Sequence, residues 1–239
     1  MIHTKRINSI DILSFDSPNG NLLSLQDIEY LISYIDIAQK NSEVKGIILT
    51  GRGRSFSAGL NISSLIENFS EEASTYFFKS FDTLLLNLFK FPKPIVAAVN
   101  GHSIGGGLLI LCCADYIVIT DNPKIKLGLP ELKLGLTIDE LMKELLIFNL
   151  SNNKTLSKLL YSSEYYNPQQ FREYGLIDEV VLQEKLILNC LEHIQLILEY
   201  DSKAFNITKQ IIKSDCKEKM QFALNNNSHS VYNGLLTKK

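Results

Sequence analysis

IILTGRGRSFSAGLNISSL, residues 47–65, passes from a short apolar run through a glycine-rich corner into what reads as the start of a helix. IVAAVNGHSIGGGLLILCC, residues 95–113, repeats the design, with an apolar run long enough to imply a strand buried on both faces. At the start of a helix several backbone N–H groups lack a partner within the helix, and they and the dipole favour negative charge on a bound group. Small residues such as Ser57, Ala58 and Gly59 let a ligand come close to that backbone. Two such corners in one chain are candidate anion-binding turns.

Outward from these corners, strands and helices alternate. RINSIDILSFD, residues 6–16, alternates apolar and polar residues as a strand does. SLQDIEYLISYIDIAQKN, from Ser24, has helical spacing, with Ser24 as N-cap and Asp27 three residues on. VKGIILTG follows as a strand, so the order suggests a βαβ crossover and a parallel sheet. A helix is expected from Ser70 until Pro92 and Pro94 end it, then strands at KPIVAAVNG and YIVIT. KIKLGLPELKLGL alternates, interrupted by Pro130, and DELMKELLIFNLS and NKTLSKLLYSS are helical. NPQQFREYG is a short helix capped by Asn167 and closed by Gly175, LIDEVV is a strand, and the pattern is helical from about Gln183. The fold class is α/β for about the first three-quarters, with a helical C-terminal part.

The 239 residues carry 45% hydrophobic and 21% charged side chains and a net charge of -2. That composition suits an ordinary globular protein. Without clustered Lys and Arg, nucleic acid is not an expected partner. No apolar stretch is long enough to span a bilayer and no signal peptide is evident, so a soluble, cytoplasmic protein without membrane partners is expected. The four cysteines, including vicinal Cys112 and Cys113, read as small buried hydrophobes, and the four histidines show no metal-binding spacing. No metal is expected.

Three chemistries could use the corners. GRGRSF begins like a dinucleotide fingerprint, but Phe56 stands where its last glycine belongs, and no P-loop is present. GHSIG, residues 101–105, matches a nucleophile elbow with Ser103 as nucleophile. Downstream it has only His193, in an apolar helical pattern, and His229 as partners. In the third reading, N–H groups from both corners converge on one carbonyl oxygen as an oxyanion hole, where each donor is worth about 3–4 kcal/mol.

GRGRSFSAGLNI, KPIVAAVNGHSIGGGLLILCCADYIV, LGLPELKLGL and QQFREYGLIDEVV together, in order and spacing over nearly the whole chain, resemble the crotonase (enoyl-CoA hydratase/isomerase) superfamily. The resemblance implies a spiral of ββα units over residues 1–182, holding an acyl-CoA site. It also implies a helical region over 183–239 that assembles the chain into a homotrimer or a dimer of trimers. The ligand would be an acyl-CoA thioester, with no cofactor beyond the coenzyme A that the substrate carries.

By the same resemblance, the N–H groups of Leu60 and Gly106 would bind the thioester oxygen and Glu131 would move the proton. Arg54, Ala58, Gly59, Ile62, Gly105, Pro130 and Asp139 would lie against the substrate, with Arg54 near the phosphates and the Ala58 carbonyl on the adenine. Where the family's hydratases carry a first glutamate, this chain has Leu109. A single base beside an oxyanion hole suits 3-enoyl-CoA to 2-enoyl-CoA isomerisation. The alternatives are a hydratase pairing Glu131 with Asp139 or Glu140, a silent acyl-CoA binding protein, and a serine hydrolase through Ser103. Asp139 is also placed to cap the helix that follows it.

Overall fold

The computed structural model describes residues 1–63 and 70–226. The strands are β1 (Ile2–Ile7), β2 (Ile10–Phe15), β3 (Gly46–Gly51), β4 (Ser55–Ser57), β5 (Ile95–Val99), β6 (His102–Ile104), β7 (Tyr116–Thr120), β8 (Leu127–Gly128) and β9 (Glu179–Val181). They form a six-stranded sheet in the order β1-β2-β3-β5-β7-β9 and a three-stranded sheet in the order β4-β6-β8. Every pairing is parallel except β1 with β2.

The single strand expected over residues 6–16 is instead the turn and second arm of a hairpin. The chain reverses between Ile7 and Ile10, with Asn8 at φ 55. Asparagine is among the few residues that enter that left-handed region without glycine's freedom. The βαβ crossover holds: β2 passes through α1 (Leu25–Lys40) to β3, its parallel neighbour. Ser24 Oγ accepts the Asp27 N–H at 3.2 Å, and Asp27 accepts the Ser24 N–H at 3.1 Å, the reciprocal cap expected.

Each strand of the small sheet directly follows one of the large sheet: β3 leads to β4, β5 to β6, and β7 to β8. After β6 comes α3 (Gly106–Leu111), and after β8 a 3-10 turn, Glu131–Leu134. A helix is expected after β4, but residues 64–69 lie outside the described ones. Between these repeats, α2 (Glu71–Phe89) starts at Ser70, whose Oγ accepts the Ala73 N–H. Then follow α4 (Glu140–Asn149), α5 (Asn153–Ser162), α6 (Pro168–Glu173), α7 (Leu186–Leu198) and α8 (Ser202–Asn226).

Period-two alternation in the large sheet supplies two cores. Leu13, Phe15, Ile47, Leu49, Ala97, Val99 and Ile119 face α1 and α2, in the larger cluster. Ile10, Ile12, Ile48, Val96, Ala98 and Val118 face the other way, where α7 covers them with Leu186, Cys190 and Ile194. Helix α8 packs on α4 and α2. All four cysteines are buried and unpaired, and burial pushes the thiols of Cys112 and Cys190 up to about 12. Among the described residues no helix is long and apolar enough to cross a membrane.

An ion cluster ties α8 to the sheet. Lys209 and Lys213, each 5% exposed, both reach Asp115 at the head of β7, at 2.5 Å and 2.8 Å. Burial drags the Lys209 ammonium down to about 8, and burial would raise the Asp115 carboxyl, but the two lysines hold it below its usual range. Asp115→Ala therefore leaves two buried cations facing each other. It should cost about 3–5 kcal/mol, read as a lower denaturation midpoint in urea. An unchanged midpoint would show that α8 is held by apolar packing alone.

Candidate active site

Gly59 sits at φ +99 at the end of the β4 strand path. A Cβ there would lie 2.8 Å from the Ile104 carbonyl oxygen and 3.3 Å from the Gly106 nitrogen, so only glycine allows the two corners to touch. One turn on, a Cβ at Gly107 would fall 2.3 Å from the Ser57 carbonyl oxygen, so α3 packs backbone to backbone against β4. These close approaches set the two corners against each other, with the Leu60 side chain 3.1 Å from where a Gly106 Cβ would lie. Neither the Leu60 nor the Gly106 N–H has an acceptor among the described residues. Gly106 opens α3, where an N–H without an intrahelical acceptor is the rule.

Both residues line one cavity of about 90 Å³, shared with Ala58, Gly59, Ile62, Gly105, Leu109, Pro130 and Glu131. Its remaining wall is apolar, from Phe78, Phe81, Ile104, Leu134, Leu136 and Met142, with Thr137 beside them. The 3-10 turn that follows β8 delivers Glu131: Oε1 lies 3.2 Å from where a Gly105 Cβ would be. Oε2 is buried with no hydrogen-bond partner. Burial pushes this carboxyl up to about 7, opposed only by its backbone hydrogen bond. A carboxyl held near neutrality can both take and return a proton.

Of the residues expected at the site, Ala58, Gly59, Leu60, Ile62, Gly105, Gly106, Pro130 and Glu131 line this cavity. Arg54 does not; it is exposed ahead of β4, close enough to His102 to lower that imidazole together with burial and Lys126. Asp139 does not line it either. Its Oδ1 accepts the Met142 N–H at 2.8 Å and caps α4, the structural role its position allowed. Glu140 is exposed and pairs with Lys143. Ser103 is 0% exposed within β6 and absent from the cavity wall, and His193 stacks on Tyr116 at the sheet's other side, so these two cannot act as nucleophile and base. His229 lies outside the described residues.

Sequence reasoning did not anticipate the apolar wall from α2. Phe78 and Phe81 enter the cavity from a helix far from the corner motifs, and only their helical spacing on a buried face marks them.

The family model for enoyl-CoA hydratase/isomerase matches residues 5–236. The chain belongs to the enoyl-CoA hydratase/isomerase family. Within that family it is 28% identical to mouse mitochondrial enoyl-CoA delta isomerase 1 over 189 residues, 78% of this chain and 64% of that protein. The match thus spans just under two thirds of the mouse relative. It is also 38% identical over 128 residues to the Bacillus subtilis protein named "Probable enoyl-CoA hydratase", 53% of this chain and 48% of that one. The solved structure of human mitochondrial delta3-delta2-enoyl-CoA isomerase superposes with a TM-score of 0.85 at 22% identity, covering 98% of this chain and 95% of that chain. The enoyl-CoA hydratase/isomerase fold is therefore shared over nearly all of the described residues, including the described helices after Gln183.

Proposed function

We propose that this chain is an enoyl-CoA isomerase that moves one proton with Glu131 as its single acid–base group. What carries the reading is that Glu131 is the one carboxyl among the described residues lining the cavity, beside two free backbone donors. Leu109 lines the same cavity and can neither hold nor activate a water. In the forward reaction the Glu131 carboxylate takes a proton from C2 of a 3-enoyl-CoA. The electron pair moves onto the thioester oxygen, where the Leu60 and Gly106 N–H groups hold the enolate. The protonated Glu131 then gives the proton to C4, and the double bond settles between C2 and C3.

The apolar wall serves this chemistry in two ways. It keeps water from quenching the enolate, and it keeps Glu131 dry enough to work near neutral pH. Because the carboxylate is the active form, kcat/KM should fall about tenfold per unit as pH drops below about 7 and level off above it. A profile flat from pH 5 to 8 in a steady-state assay would contradict the assignment of Glu131 as base.

A further inference from the structure

The cavity at the two corners also limits the length of what it can hold. Its volume is about 90 Å³. An apolar cavity of about 150 Å³ accepts one benzene, six carbons, so about 90 Å³ accommodates about four. With a thioester oxygen at the Leu60 and Gly106 N–H groups, the thioester carbon, C2, C3 and C4 already account for that space.

Phe81 stands against the reacting end of the cavity. The tip of its ring, Cζ, lies 3.0 Å from where a Gly106 Cβ would be, so the ring abuts one of the two residues that hold the oxyanion. At the preceding residue, Glu131 Oε1 lies 3.2 Å from where a Gly105 Cβ would be. Ring and carboxyl thus flank one Gly-Gly step, the carboxyl to move the proton and the ring to bound the chain that carries it.

The ring has little room to retreat. Phe81 is 0% exposed, and Phe78, Leu109 and Met142, which line the same cavity, are buried as well. Outside this wall α2 is packed against α1 and α8. Side chains in such an interior are packed at crystal-like density and do not give way freely.

Resting on the acyl-CoA reading of the site, we propose that Phe81 is the stop of the acyl pocket and that the substrates are short-chain thioesters with acyl groups of about four carbons. A longer chain would need the space that the Phe81 ring fills. The preference comes from packing at one position and involves no polar contact.

The test is a series of dissociation constants for straight-chain saturated acyl-CoA esters, acetyl to dodecanoyl, measured by calorimetry on the full chain. Saturated esters need no turnover, so the series reads the pocket whether or not the isomerase assignment stands. Each methylene buried against an apolar wall tightens binding by about fourfold, so Kd should fall about 16-fold from acetyl to butyryl and gain nothing from hexanoyl onward. In Phe81→Ala, the loss of a six-carbon ring should let the gain continue to about ten carbons. Should Phe81→Ala not fold, Phe81→Leu carries the same expectation over fewer carbons. A parent whose affinity rises steadily to dodecanoyl-CoA overturns the proposal, and so does a variant weakened alike at every length or levelling off where the parent does. A length limit that moves with Phe81 while no 3-enoyl-CoA is converted upholds the stop and defeats the isomerase reading.

Discussion

Glu131→Gln is expected to cut turnover of a 3-enoyl-CoA by about 10²–10⁴-fold, the usual contribution of a positioned acid–base group. Glutamine matches glutamate in shape but can neither take a proton from C2 nor return one to C4. Binding should survive, because the groups assigned to the thioester oxygen are the backbone N–H groups of Leu60 and Gly106, which the substitution leaves alone. KM should thus stay within a few-fold while kcat collapses, the signature of an interaction made only in the transition state. Steady-state kinetics decide it, and a fully active variant would remove Glu131 from the mechanism.

Gly59→Ala carries the second large effect, on the oxyanion side. At φ +99 an alanine is strained, and its methyl would sit 2.8 Å from the Ile104 carbonyl oxygen and 3.3 Å from the Gly106 nitrogen. The two corners must part to admit it, and the Gly106 nitrogen is one of the atoms that has to move. Losing the alignment of one donor should lower kcat by about 10²–10³-fold. Gly53→Ala supplies the control: that glycine is also left-handed, at φ +73, but has no atom within 4 Å of its Cβ position. It should cost a little stability and leave kcat alone. Equal rate losses in both variants would trace the effect to general backbone strain rather than to the oxyanion site.

These two variants test roles that the family resemblance implied, whereas much of the fold could be read from the residues themselves. The corners at residues 47–65 and 95–113 carry most of the fold, because an apolar run followed by small residues leaves few alternatives to strand, turn and helix. Capping chemistry placed α1, α2 and α6, where Ser24, Ser70 and Asn167 each accept an N–H three residues on. The small sheet was not legible: β4 and β6 have three residues each and β8 two, too short for alternation to register. The hairpin at Asn8 was missed because its turn contains no glycine or proline.

At the site, the family resemblance supplied the pairing of Leu60 with Gly106, and backbone donors leave no side-chain signal of their own. Burial sets the Glu131 carboxyl near 7; of the leucines that flank it in sequence, Leu127 and Leu129 are buried, while Leu132 and Leu134 are exposed. Asp139 misled: a carboxylate eight residues after Glu131 could equally enter the cavity or cap a helix, and the cap won because α4 begins at the next residue.

Product analysis of the wild-type protein with a 3-enoyl-CoA tests the central claim most directly. The expected result is conversion to the 2-enoyl-CoA, with no 3-hydroxyacyl-CoA formed from either the substrate or added crotonyl-CoA. Accumulation of 3-hydroxyacyl-CoA without a double-bond shift, or no conversion at all, would contradict a single-carboxylate isomerase.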